Sequence, residues 1–243
     1  MIPNVATKVM VRLGASLVAL LGLVAPTWAG DRASIDLLGF SEDGRYFAFE
    51  EFGIQDGSGF AYASIYLIDL DNDRWVAGTP IKVQADTEQA TLHAIRSEAL
   101  AQFAGQIEQH AIHEPAEFLA VNGDGVPEAD GSALRFAGVG FMGPGTVQGD
   151  HRLALETFAL PSAKCEAYTD NEILGFALSV DGKELHRDTS LPASRGCALA
   201  YRIYGVAVPY PGWSIEGGVA LISVYPHGFE GPDRRFLAVP LGK

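Results

Sequence analysis

The 243-residue sequence is poor in cysteine, with two, and in methionine, with three. Two cysteines rule out a disulfide-dense miniature scaffold and a four-thiolate zinc site. Charge is sparse as well: 19% of residues are Asp, Glu, Lys or Arg, and the 17 basic residues face 30 acidic ones. The resulting net charge of −13 argues against nucleic acid as a partner, because phosphates are bound by a basic patch. No run beyond the N-terminal region approaches 18 uninterrupted apolar residues, so no transmembrane span is expected after it. What is present is 48% hydrophobic residues, 28 Gly and 13 Pro. That composition fits neither a disordered tail nor a coiled coil, and suits a globular domain with a sizeable core.

Residues 1–29 read as a secretory signal. Lys8 and Arg12 supply a positive start, residues 13–24 an apolar stretch, and Pro26 a helix break before Thr27-Trp28-Ala29. Small residues then stand three and one before a cut after Ala29. As a helix the apolar stretch reaches only about 18 Å, short of the roughly 30 Å hydrocarbon core. Cleavage would remove two basic residues and no acidic one, deepening the net charge to about −15. In an oxidising compartment Cys165 and Cys197 are expected to join, closing a loop of about 32 residues. A redox or metal-binding pair is the alternative, although redox thiols usually stand two residues apart.

Residues 30–243 read as a single β-rich domain. Strand-like runs alternate with turns from residue 35 to residue 76, at the spacing of a meander. One amphipathic helix is expected over about 86–110, where Leu92, Ile95, Ala99, Phe103 and Ile107 form an apolar stripe, with Asp86 or Thr87 as its cap. Residues 121–150 look like a loop in which two halves would meet. Strands resume from residue 151, including a hairpin turning at Asp181-Gly182. About nine strands and one helix make the fold class α+β, mainly β, with antiparallel meander or sandwich-like sheets.

Two stretches are distinctive. The first is Gly39-Phe40-Ser41-Glu42-Asp43-Gly44-Arg45-Tyr46-Phe47-Ala48-Phe49-Glu50-Glu51-Phe52-Gly53, and the second is Gly228-Phe229-Glu230-Gly231-Pro232-Asp233-Arg234-Arg235-Phe236. With the signal and Ala193-Ser194-Arg195-Gly196-Cys197, they resemble the bacterial family of predicted secreted proteins called DUF2259. That resemblance implies export, periplasmic or secreted, from a Gram-negative bacterium, and no activity. Residues 40–49 with 65–70 also look like one blade of the propellers in TolB-like periplasmic proteins. The helix interrupts where the next blade should begin, so a local meander is expected rather than a propeller.

The polar clusters offer few chemical constellations. Glu50 and Glu51 point to opposite faces of a strand, so a catalytic pair would need Glu51 to meet Glu230 or Asp233 through the fold. Arg234 and Arg235 are candidates for an anion contact or for a clamp on a buried acid such as Glu50. His110, His113 and Glu114 are the metal candidates, since a spacing of three places both imidazoles on one helix face. Asp69, Asp71 and Asp73, and Asn122, Asp124, Glu128 and Asp130, form acidic loops out of register with calcium-binding loops. Gly138-Val139-Gly140-Phe141-Met142-Gly143 matches a dinucleotide fingerprint by letter, but Pro144 and Gly145 deny it a helix. Around Ser214 the glycines are too far apart for a nucleophile elbow. No cofactor is expected. The sequence leans toward a non-catalytic binding or envelope-associated module with a protein or small-molecule ligand. The alternatives are an exported hydrolase with acids assembled by the fold, and a metal- or calcium-binding protein.

Overall fold

The computed structural model describes residues 30–125 and 130–242. The expected signal and Glu128 lie outside the described residues. Sheet I opens with β1 (Ser34–Ser41), β2 (Tyr46–Ile54), β3 (Ala61–Asp69) and β4 (Arg74–Trp75) as an antiparallel meander; β5 (Ile81–Gln84) also pairs with β3, and β6 (Ile112–Glu114) pairs with β1. Sheet II holds β8 (Ala133–Val139), β9 (Val147–Ala159), β10 (Leu174–Val180) and β11 (Lys183–Arg187) in sequence order. Sheet III joins β7 (Ala116–Val121) to β12 (Ala198–Pro209), β13 (Val219–Pro226) and β14 (Arg235–Pro240).

The one α-helix among the described residues, α1 (Leu92–Gln109), is shorter at its start than its stripe suggests. Residues 86–91 are spent on turns after β5, and the cap is Thr91, whose hydroxyl accepts the Ala94 N–H at 3.2 Å. Ile95, Ala99 and Phe103 bury the expected stripe against Ala63, Ile65 and Leu67 of β3. The other face of sheet I sends Phe40, Phe47 and Phe49 onto Leu221 and Phe236 of sheet III. The next residues of β13, Ala220 and Ile222, turn the other way and meet Phe176 and Leu178 of sheet II. The molecule is therefore stacked in four layers: helix, sheet I, sheet III and sheet II. Alternation along β13 lets one strand serve two cores, which is why it is apolar on both faces.

Part of the expected loop over 121–150 is strand: β9 starts there at Val147, after a tight turn from β8. The strand character of β8 is masked by glycine-rich flanks and by an edge position that exposes Arg135 between the inward Leu134 and Phe136. β5, β6 and β7 are short strands of the same kind. At Gly39 the β1–β2 register shifts and φ is 135°; a side chain there would run into the Glu114 carbonyl of β6. The hairpin at Asp181-Gly182 forms where expected, with φ of 51° and 82°. Cys165 and Cys197 are bonded, tying the β9–β10 connection of sheet II to the start of β12 in sheet III.

Candidate functional site

Because β2 is sandwiched between α1 and sheet III, its two adjacent glutamates are buried in different layers. Glu50 faces the helix, where the Arg96 guanidinium donates through Nε at 3.1 and 3.0 Å and through Nη2 at 2.6 Å. Arg96 also bonds Asp36 and lies 3.7 Å from the Phe52 ring centre. The clamp on Glu50 is thus Arg96 rather than Arg234 or Arg235, since α1 covers that face of the sheet.

Glu51 faces sheet III. It accepts the Phe236 N–H at 2.8 Å and lies 3.7 Å from Arg235 Nε. Burial pushes its carboxyl up to about 7, with Arg235 pulling the other way. Arg235 also reaches Asp31 at 3.0 Å, Asp233 at 3.6 Å and the Tyr62 hydroxyl at 3.1 Å. Burial raises the Asp233 carboxyl too. Arg234 donates to the Ala33 carbonyl through Nε at 2.9 Å and to Asp124, and its own N–H meets the Asp31 carbonyl at 2.6 Å. The segment 30–33 is thereby strapped onto the start of β14. Of the three acids considered for catalysis, Glu51 and Asp233 converge on one guanidinium. Glu230 is exposed instead and pairs with Asp56, which raises its carboxyl.

A second cluster carries no motif in the sequence beyond Arg195 standing two residues before Cys197. Asp188 accepts the Phe176 N–H at 2.9 Å, bonds Arg195, and lies 2.9 Å from His186 Nε2. His186 Nδ1 reaches Asp73 at 3.4 Å, bridging β11 to the β3–β4 turn. The hydrogen bonds to Asp188 and then Asp73 hold the imidazole proton, pushing its pKa up to about 9. This joins sheet II to sheet I outside the sheet ladders.

The metal candidates are separated. His110 caps α1 with its ring 4.4 Å from Tyr46, and a φ of 47° at Ala111 turns the chain so that His113 and Glu114 lie on β6. The spacing of three fails as a pair because the helix has already ended. His113 instead meets Glu42 at 3.1 Å. Among the described residues no three His, Cys, Asp or Glu side chains are grouped to hold a metal ion. Asp69 is bonded by Arg45 and Asn72, and the Arg45 hydrogen bond takes its carboxyl down to about 2. Asp71 lies 4.0 Å from Arg45, and Asn122 donates to the Asp130 carbonyl. After Gly138 and Val139 the chain turns back into β9, so no helix end faces the glycine-rich stretch.

A cleft of about 380 Å³ opens over His186, Asp188 and Arg195, with Trp75 on its wall. Two larger open clefts lie elsewhere among the described residues. One, about 610 Å³, lies among segment 30–32, loop 122–124 and β12–β13, with Arg32, Tyr204 and Tyr225 on its walls. The other, about 560 Å³, lies among the β8–β9 hairpin, the β10–β11 turn and the loop before β13. Glu51, Asp233 and Glu230 line neither.

These features define a class: a disulfide-bonded antiparallel β protein with one α-helix among its described residues, its inner acids tied to arginines and its clefts at the loop ends. The chain belongs to the DUF2259 family, described as a predicted secreted protein, whose sequence pattern matches residues 48–242. No curated protein and no solved structure matches it.

Proposed function

We propose that the protein is an exported, non-catalytic binding module working in the periplasm or envelope of a Gram-negative bacterium. The supporting observation is where its acids stand. Glu50 and Glu51 are immobilised by Arg96 and by the Phe236 N–H in closed seams, and neither lines an open cleft. A general acid needs access to the reacting bond, and Glu51 at 2% exposure has none. The hydrolase alternative would draw on Glu51, whose carboxyl burial pushes up to about 7.

Native mass spectrometry after incubation with digested envelope material separates the two. A module gives adducts of constant mass over hours, in the wild type and in Glu51→Gln alike. Conversion of an adduct to smaller products by the wild type but not by Glu51→Gln would establish the hydrolase.

A further inference from the structure

The 560 Å³ cleft combines an exposed ring with a wall of polar groups. Trp213 lines it and keeps 53% of its surface exposed. The Phe141 ring stands edge-on to the indole, 4.9 Å away at 65°. The backbone beneath is fixed: the Gly212 carbonyl accepts the Val139 N–H at 3.0 Å, and the Trp213 carbonyl accepts from Gln148 Nε2 at 2.6 Å. Across the cleft, Asp181 holds the β10–β11 turn by accepting the Arg152 N–H at 2.8 Å and pairing with His151 Nδ1 at 2.7 Å. Both walls are thus built before any ligand arrives, which lowers the ordering cost of binding.

The groups left over point to one ligand chemistry. Gln148 keeps its amide oxygen as an acceptor. Ser214 Oγ accepts the Glu216 N–H at 3.1 Å and retains its own O–H to donate. Lys183 and Glu216 line the cleft and have no side-chain partner among the described residues. Donors and acceptors of both charges therefore ring an aromatic surface. An apolar ligand would strand the ammonium and the carboxylate, at a cost of desolvation. An anion would face Glu216 and Asp181. A sugar ring fits: its C–H face is apolar and stacks on an indole, while each rim hydroxyl both donates and accepts.

We infer that this cleft is a saccharide-binding site in which Trp213 stacks on a sugar ring while Gln148, Lys183, Ser214 and Glu216 take its hydroxyls. The inference rests on the reading of the protein as a binding module and names the ligand class of that module.

The test is titration of residues 30–243 with cellotetraose and with the tetramer of N-acetylglucosamine, alongside a capped tetrapeptide. Trp75 and Trp213 are the tryptophans of that segment, so in Trp75→Phe the emission reports Trp213 alone. The expected result is a saturable change in that emission with at least one tetrasaccharide. By calorimetry Trp213→Ala should bind it roughly tenfold more weakly. Lys183→Met, at the exposed start of β11, should weaken it roughly threefold. Failure of both tetrasaccharides to bind, or peptide binding alone, overturns the inference. Tetrasaccharide binding that Trp213→Ala leaves unchanged overturns it too. A tetrasaccharide bound at Trp213 and then cut keeps the site and overturns the non-catalytic reading instead.

Discussion

Toward sheet II, the centre of sheet III meets its neighbour through apolar side chains, among them Phe176, Leu178, Ile203 and Ile222, with Asp188 and Arg195 at the margin. Toward sheet I, Phe40, Phe49 and Leu221 share the seam with Glu51, Arg235, Asp31 and Asp233. The first seam gains stability from area removed from water, which does not depend on pH. The second holds its charge only while each group keeps its partner, because a lone buried ion is far costlier than a pair. In return it ties down segment 30–33, which has few apolar residues to offer a core.

The largest expected effects set the seams against each other. Arg235→Met strands Glu51, Asp31 and Asp233, and should cost about 3–5 kcal/mol at pH 8. At pH 5, where Glu51 holds a proton, the loss should shrink. Phe176→Ala should cost a similar ~3–5 kcal/mol, but equally at both pH values. Urea unfolding at pH 5 and 8 measures both, and equal pH dependence of the two variants would erase the distinction. Next comes the Cys165→Ala/Cys197→Ala double variant. Opening a loop of 32 residues between sheets II and III should cost about 3–4 kcal/mol. Reductant should lower the wild-type melting temperature and leave the double variant's unchanged.

The pH dependence divides into two legs. The folded-state pKa of Glu51 is raised from 4.5 to about 7, so the native state holds a proton that the unfolded chain has lost. Its contribution is complete below pH 4.5 and is lost as pH rises through 7, at most about 3–4 kcal/mol. Glu51→Gln should flatten that leg; an unchanged slope would assign it to another group. The His186 pKa is raised from 6.5 to about 9, so its contribution is complete below pH 6.5 and lost as pH rises through 9. After solvent screening this leg should amount to ~1 kcal/mol, the smallest effect, and His186→Asn should flatten it alone.

The elements built from neighbouring residues were legible before the structure. The β1–β4 meander, the Ile95–Ala99–Phe103 stripe and the turn at Asp181-Gly182 depend on spacing and turn chemistry. The edge strands β5 to β8 were not, because an edge is recognised by its one neighbour rather than by its own short pattern. Nor was the Asp188–Arg195–His186 cluster, whose bridge to Asp73 crosses from one sheet to another. The cleft at Trp213 was hidden for a related reason: its walls come from three loops distant in sequence.

By itself the sequence determined that Glu50 and Glu51 point to opposite faces, since side chains alternate along any strand. It determined as well that one helix packs by a narrow stripe, and which two sulfurs were there to join. Only the tertiary structure decided that Glu50 meets Arg96, 46 residues away, and that Glu51 meets the N–H of Phe236, 185 residues away. Those partners follow from which layer covers each face. Layer order is set by burying the apolar surface of all the sheets at once, and no local spacing encodes it.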